Sequence, residues 1–119
     1  MSAAPAPVSD MTVTVKAREI QRATLAEMRG DRSRASRHFL AAAHLESVLA
    51  DDYEQAGQTE MSLRSRISAA SCLWRAGKQD EARQMFNDLI QNHPLQQAEI
   101  KRIITELEQD YPNRTSECN

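Results

Sequence analysis

Aromatic side chains are scarce in this chain: one Trp, two Tyr and two Phe, 4% of 119 residues. A core must therefore rest on Ala, Leu, Ile, Met and Val, with few rings to fill wide gaps between layers. Glycine (three) and proline (four) are equally sparse. Strand-rich folds need frequent turns, so this scarcity argues against a β architecture and for long helices. The two cysteines, Cys72 and Cys118, form neither a metal or redox spacing nor a disulfide framework. Cys72 is expected to be a small core residue, and the cysteine usage fits a reducing compartment. No apolar run approaches the ~20 residues of a membrane-spanning helix. The opening "MSAAPAPVSDMTVTV" lacks the basic and continuous apolar regions of a secretory signal. A cytoplasmic location without membrane contact is the expectation.

The formal net charge is −2, which excludes a strong overall signature for binding polyanions. The charges are nevertheless segregated. Lys16 to Arg37 carries seven basic residues against three acidic ones, whereas Glu46 to Glu60 carries five acidic residues and no Lys or Arg. Such blocks are expected on solvated helix faces and turns that pair locally.

Apolar periodicity places five helices in a domain over residues 11–111, between disordered tails at 1–10 and 112–119. The first is expected from Met11 to Arg29 with Ile20, Ala23 and Ala26 on one face; Gly30 ends it and Asp31 caps the next. The second carries Ala35, Phe39, Ala42, Leu45, Leu49 and Tyr53 at steps of three and four. Gly57 then supplies a turn and Thr59 the N-cap of a third helix, Glu60 to Ala76, with Leu63, Ile67, Ala70 and Leu73 on one side. A fourth runs from Gln79 to Asn92, and a fifth from Leu95 to Tyr111. The short connections imply antiparallel neighbours, so the fold class is all-α.

Two stretches, "ATLAEMRGDRSRASRHFLAA" from Ala23 and "ASCLWRAGKQDEARQMFNDL" from Ala70, share the pattern A-x6-G-x4-A-x3-F. The Gly closes one helix, the Ala residues let two helices approach, and the Phe fills the space between hairpins. With Pro94 after the second copy, the pattern resembles the tetratricopeptide repeat family. There are departures. Leu73 replaces the usual Tyr, the early Trp is absent with Arg66 in its region, and Ser47 stands where the first copy would have Pro. The offset of 47 residues between Gly30 and Gly77 also exceeds the family period of about 34. The resemblance implies two helical hairpins of an α-solenoid with the fifth helix as a cap.

That resemblance further implies a non-enzymatic adaptor, regulator or small chaperone that holds a segment of another protein on a concave face. Its lining would be Ile20, Thr24, Glu27 and Met28 from the first hairpin, and Arg64, Ile67, Ser71, Trp74 and Arg75 from the second. Ile100, Ile104 and Leu107 would close the groove. Trp and Arg are common interface anchors, and an Arg pair can hold a carboxylate or phosphate. Trp74 fits a helix-packing role equally well. The family's Lys and Asn carboxylate clamp for chaperone tails is missing.

Two other readings stand beside this one. The same apolar surface could serve a helical homodimer. Arg32 and His38 fit the loose Arg-x4–6-His spacing of helical ribonucleases resembling the HEPN family, and with Arg34 would make a weak RNA-binding or ribonuclease module, although the stretch lacks aromatics for base stacking. His38, His44 and His93 form no metal or catalytic constellation, so neither a metal nor a cofactor is expected.

Overall fold

The computed structural model describes residues 10–112. Residues 1–9 and 113–119, which hold most of both expected tails and Cys118, lie outside the described residues. Five helices follow one another: α1 (Asp10–Met28), α2 (Arg32–Gln55), α3 (Thr59–Arg75), α4 (Gln79–Asn92) and α5 (Gln97–Asp110), with one 3-10 turn at Pro94–Gln96 before α5. No strand occurs among the described residues. The chain is all-α, as expected.

The three glycines make one kind of turn. After α3 the amide of Lys78 donates to the Leu73 carbonyl at 2.9 Å and that of Gly77 to the Trp74 carbonyl at 3.0 Å. This is a Schellman closure, with Gly77 at φ 89°. A Cβ there would meet no atom within 4 Å, so the requirement is for the left-handed backbone itself, about 1–2 kcal/mol for an L-residue. The turns at Gly30 and Gly57 repeat the same hydrogen bonds. The Gly57 turn is the finding here, because it lies outside the 47-residue register that pairs Gly30 with Gly77.

Two helix starts differ from expectation. Thr59 is not an N-cap but the first residue of α3. The Gly57 closure uses only Ala56 to Gln58, and the Gln58 carbonyl already accepts from the Ser62 amide at 3.0 Å. The fifth helix begins at Gln97 because Pro94 sets a 3-10 turn first. Asp31 does cap α2, its Oδ1 accepting from the Arg34 amide at 3.1 Å.

Each helix packs on the next, and α5 returns to touch both α3 and α4. Small residues set the α1–α2–α3 spacing: Ala23, Ala26, Ala35, Phe39, Ala42 and Ala43 form one core, completed by Cys72 and Ala76 of α3. The second core gathers Leu63, Ala70, Trp74, Ala82, Phe86 and Leu89 with Ile100 and Leu107 of α5. Leu73 packs against both. All six Ala and Phe positions of the duplicated pattern are buried. Ile100 and Leu107, read from the sequence as groove-closing residues, are core instead, because α5 lies against two helices and turns both inward.

Polar groups tie the layers. The Ser62 hydroxyl donates to the Ala50 carbonyl at 2.8 Å, and Arg66 bridges from α3 to Asp51 and Glu54 of α2 at 3.2 Å each. The acidic block is thus paired partly from another helix.

Candidate partner-binding surface

The exposed side of α3 follows from its core stripe. With Leu63, Ala70 and Trp74 turned inward, Arg64, Ile67, Ser68, Ser71 and Arg75 fall on the remaining face at helical spacing. Ile20 of α1 approaches them. Together with Cys72 these residues line a depression of about 270 Å³. A second depression, about 430 Å³, runs on from it and is lined by Thr59, Glu60, Leu63, Arg64, Ile67, His93, Gln96 and Glu99. Arg64 and Ile67 belong to both. The two therefore form one groove along α3, walled by α1 on one side and by the Pro94 turn and the start of α5 on the other.

Of the nine residues expected on a concave face, Ile20, Arg64, Ile67, Ser71 and Arg75 are brought together here. Glu27 lines neither depression and lies beside Tyr111. Thr24, whose hydroxyl donates to the Ile20 carbonyl at 2.9 Å, and the exposed Met28 line neither depression. Trp74 is corrected: it is 1% exposed. Its Nε1–H donates to the Tyr111 carbonyl at 3.0 Å, and Arg83 covers its ring at 4.5 Å. It is a packing residue of the second core. Sequence reading missed Ser68, which follows Ile67 and lies one turn from Arg64, and also missed His93 and Gln96. The last two reach the groove only through the 3-10 turn, which has no periodic signal.

The groove's charges are loosely held. Arg64 faces Glu60 at 3.4 Å with both side chains largely exposed, a pair of little net worth that a partner can displace. Arg75 has no acidic partner among the described ion pairs and lies 5.8 Å from the ring centroids of both Phe39 and Tyr111. Ile67 and Ile20, both half-buried, give an apolar centre between the two arginines.

Two protic side chains beside α3 keep their protons at neutral pH. Burial, reinforced by the Glu46 carboxylate, pushes the Cys72 thiol up to about 11 from 9.0. Burial, then the hydrogen bond to Glu27 and its charge, pushes Tyr111 up to about 12 from 10.0. Both groups lose their protons more readily unfolded than folded, so the unfolded chain binds fewer protons above pH 9 and stability falls as pH rises. The expected outcome is a loss confined to the window from about pH 9 to 12. Cys72→Ala should flatten the lower half of that window in denaturation curves taken at successive pH values.

Among the described residues no three His, Cys, Asp or Glu side chains gather where they could hold a metal ion, and no helix is long and apolar enough to cross a membrane. Comparison with family models, with curated proteins and with solved structures finds no match to this chain.

Proposed function

We propose that this chain is a tetratricopeptide-like interaction module that binds an extended segment of another protein along α3. The observation behind the reading is the pair of depressions that share Arg64 and Ile67. Two hairpins whose Ala, Gly and Phe residues occupy equivalent buried and turn positions support the solenoid arrangement. Arg64 and Arg75 are eleven residues apart on one helix, about 16 Å at 1.5 Å per residue. An extended chain covers that span in roughly five residues. The matching ligand carries an aliphatic side chain for the Ile20–Ile67 centre and a carboxylate near each end for the arginines. No catalytic step is assigned to the module.

Peptide display selection on the purified chain tests this. The selected peptides should share an acid–aliphatic–acid pattern. Arg64→Glu and Arg75→Glu should each weaken them at least about tenfold, the scale of one charge-assisted hydrogen bond. Peptides carrying Lys at the matching end should regain affinity for each variant. Equal binding to parent and variants would place the contact elsewhere.

A further inference from the structure

A third depression, about 550 Å³, lies apart from the α3 groove. It lies on the side of α1 opposite Ile20, between α1 and the start of α2, and is lined by Arg22, Leu25, Ala26, Arg29, Asp31, Arg34 and His38. Three of the seven basic residues between Lys16 and Arg37 enter it and four do not. Arg34 and His38 face it, Arg32 and Arg37 do not, and Arg22 and Arg29 join from α1. The cluster exists only once the two helices are packed.

Its charges are available. Arg29 has no ion pair among the described contacts. Arg22 faces Glu19 at 3.5 Å and Arg34 faces Asp31 at 3.7 Å, each Arg side chain being 60% exposed. One oxygen of Asp31 is occupied in capping α2. The imidazole of His38 is fixed by Glu19, with Nδ1 2.6 Å from Oε2, which leaves Nε2 as its only free nitrogen. Three guanidinium groups thus stand against a single lining carboxylate, beside an apolar floor of Leu25 and Ala26.

Planar guanidinium forks match phosphate oxygens in pairs, and a cluster of them favours a dianion over a single carboxylate. The volume falls within the ~300–1,000 Å³ typical of small-molecule sites. A long polyanion fits less well. The chain carries net charge −2, and no Phe, Tyr or Trp lines the cleft to stack a base. We propose that the α1–α2 cleft binds a phosphate-bearing small molecule, its phosphate among Arg22, Arg29 and Arg34 and its apolar body on Leu25.

Titration of the ¹⁵N-labelled full chain with phenyl phosphate, inorganic phosphate and a single-stranded ribo-oligonucleotide, read by amide chemical shifts, tests the proposal. Phenyl phosphate should saturate, move the amides of Arg22, Leu25, Arg29 and Arg34, and bind several-fold tighter than inorganic phosphate. Arg29→Ala combined with Arg34→Ala should weaken it at least tenfold while the melting curve of the free protein stays in place. Lys101→Ala with Arg102→Ala, which removes the same charge from α5, should leave binding unchanged. Equal weakening by both pairs, or shifts scattered over the surface, would reduce the effect to net charge and overturn the proposal. An oligonucleotide that binds the same residues a hundredfold tighter would also overturn it, in favour of a polyanion surface. None of these outcomes depends on the α3 groove.

Discussion

Trp74→Ala should cost the fold about 3–5 kcal/mol, the range for truncating a buried aromatic. Trp74 is among the largest fully buried side chains and fills the space between α3, α4 and α5 beside Phe86. Truncation leaves a cavity and removes both the Nε1–H bond to the Tyr111 carbonyl and the ring face on which Arg83 rests. For a domain this size each kcal/mol moves the midpoint by roughly 4–8 °C, so thermal melting by circular dichroism should fall by at least about 12 °C. Trp74→Phe separates packing from hydrogen bonding. It keeps most of the ring and loses the N–H, while the Tyr111 carbonyl still accepts from Gln79 at 3.0 Å. About 1 kcal/mol is expected for that variant. A Trp74→Ala protein that melts with the parent and loses only partner binding would return Trp74 to the surface and undo the core assignment.

The position of Trp74 also marks where sequence reading stopped. Ile67, Ser71 and Trp74 share a helical stripe at i, i+4 and i+7, and periodicity alone treats the three alike. What divides them is the path of α5, which brings a carbonyl 37 residues away onto the indole and leaves Ile67 and Ser71 half open. Helix stops, by contrast, and the Asp31 cap of α2 were legible, because they depend on local chemistry: a left-handed Gly, an Asp side chain, a Pro past the end. So were the Ala and Phe positions of the duplicated pattern, whose small volumes have meaning only at close helix crossings. Five of the nine expected lining residues came together for the same reason, since one face of α3 follows from its opposite face. Buried polar residues were not legible. Glu46 belongs to the acidic block expected on solvated faces, and Ser62 and Ser65 carry no apolar signal, yet all three are buried. Only the arrival of another helix shows what satisfies Ser62 and Glu46.

Glu46 carries the second large effect. It is 3% exposed on α2, and its described ion-pair partner is Lys16, which reaches from α1 to 3.8 Å. The Lys side chain is 23% exposed, so water screens part of the attraction, and the pair as a whole adds little over an apolar pair of the same volume. Breaking it from one side is different. Lys16→Met leaves a carboxylate desolvated between α1, α2 and α3 with no cation, and a loss of about 2–3 kcal/mol is expected, below the 3–5 kcal/mol of a fully buried pair because the partner is partly wet. Glu46→Leu removes the buried charge and frees Lys16 to extend into solvent, so it should be within about 1 kcal/mol of the parent or more stable. The double variant Lys16→Met, Glu46→Leu should recover most of what Lys16→Met loses. Urea denaturation of the four proteins closes the cycle, and the coupling between the two sites should exceed about 1.5 kcal/mol. Additive losses would mean that Lys16 and Glu46 act independently and that water, not Lys16, compensates the buried carboxylate. The same exchange tests why α1 stays docked. Its contact with α2 is built mostly from alanines, which bury little area, so the apolar area that Leu adds at position 46 should hold α1 at least as well as the ion pair does.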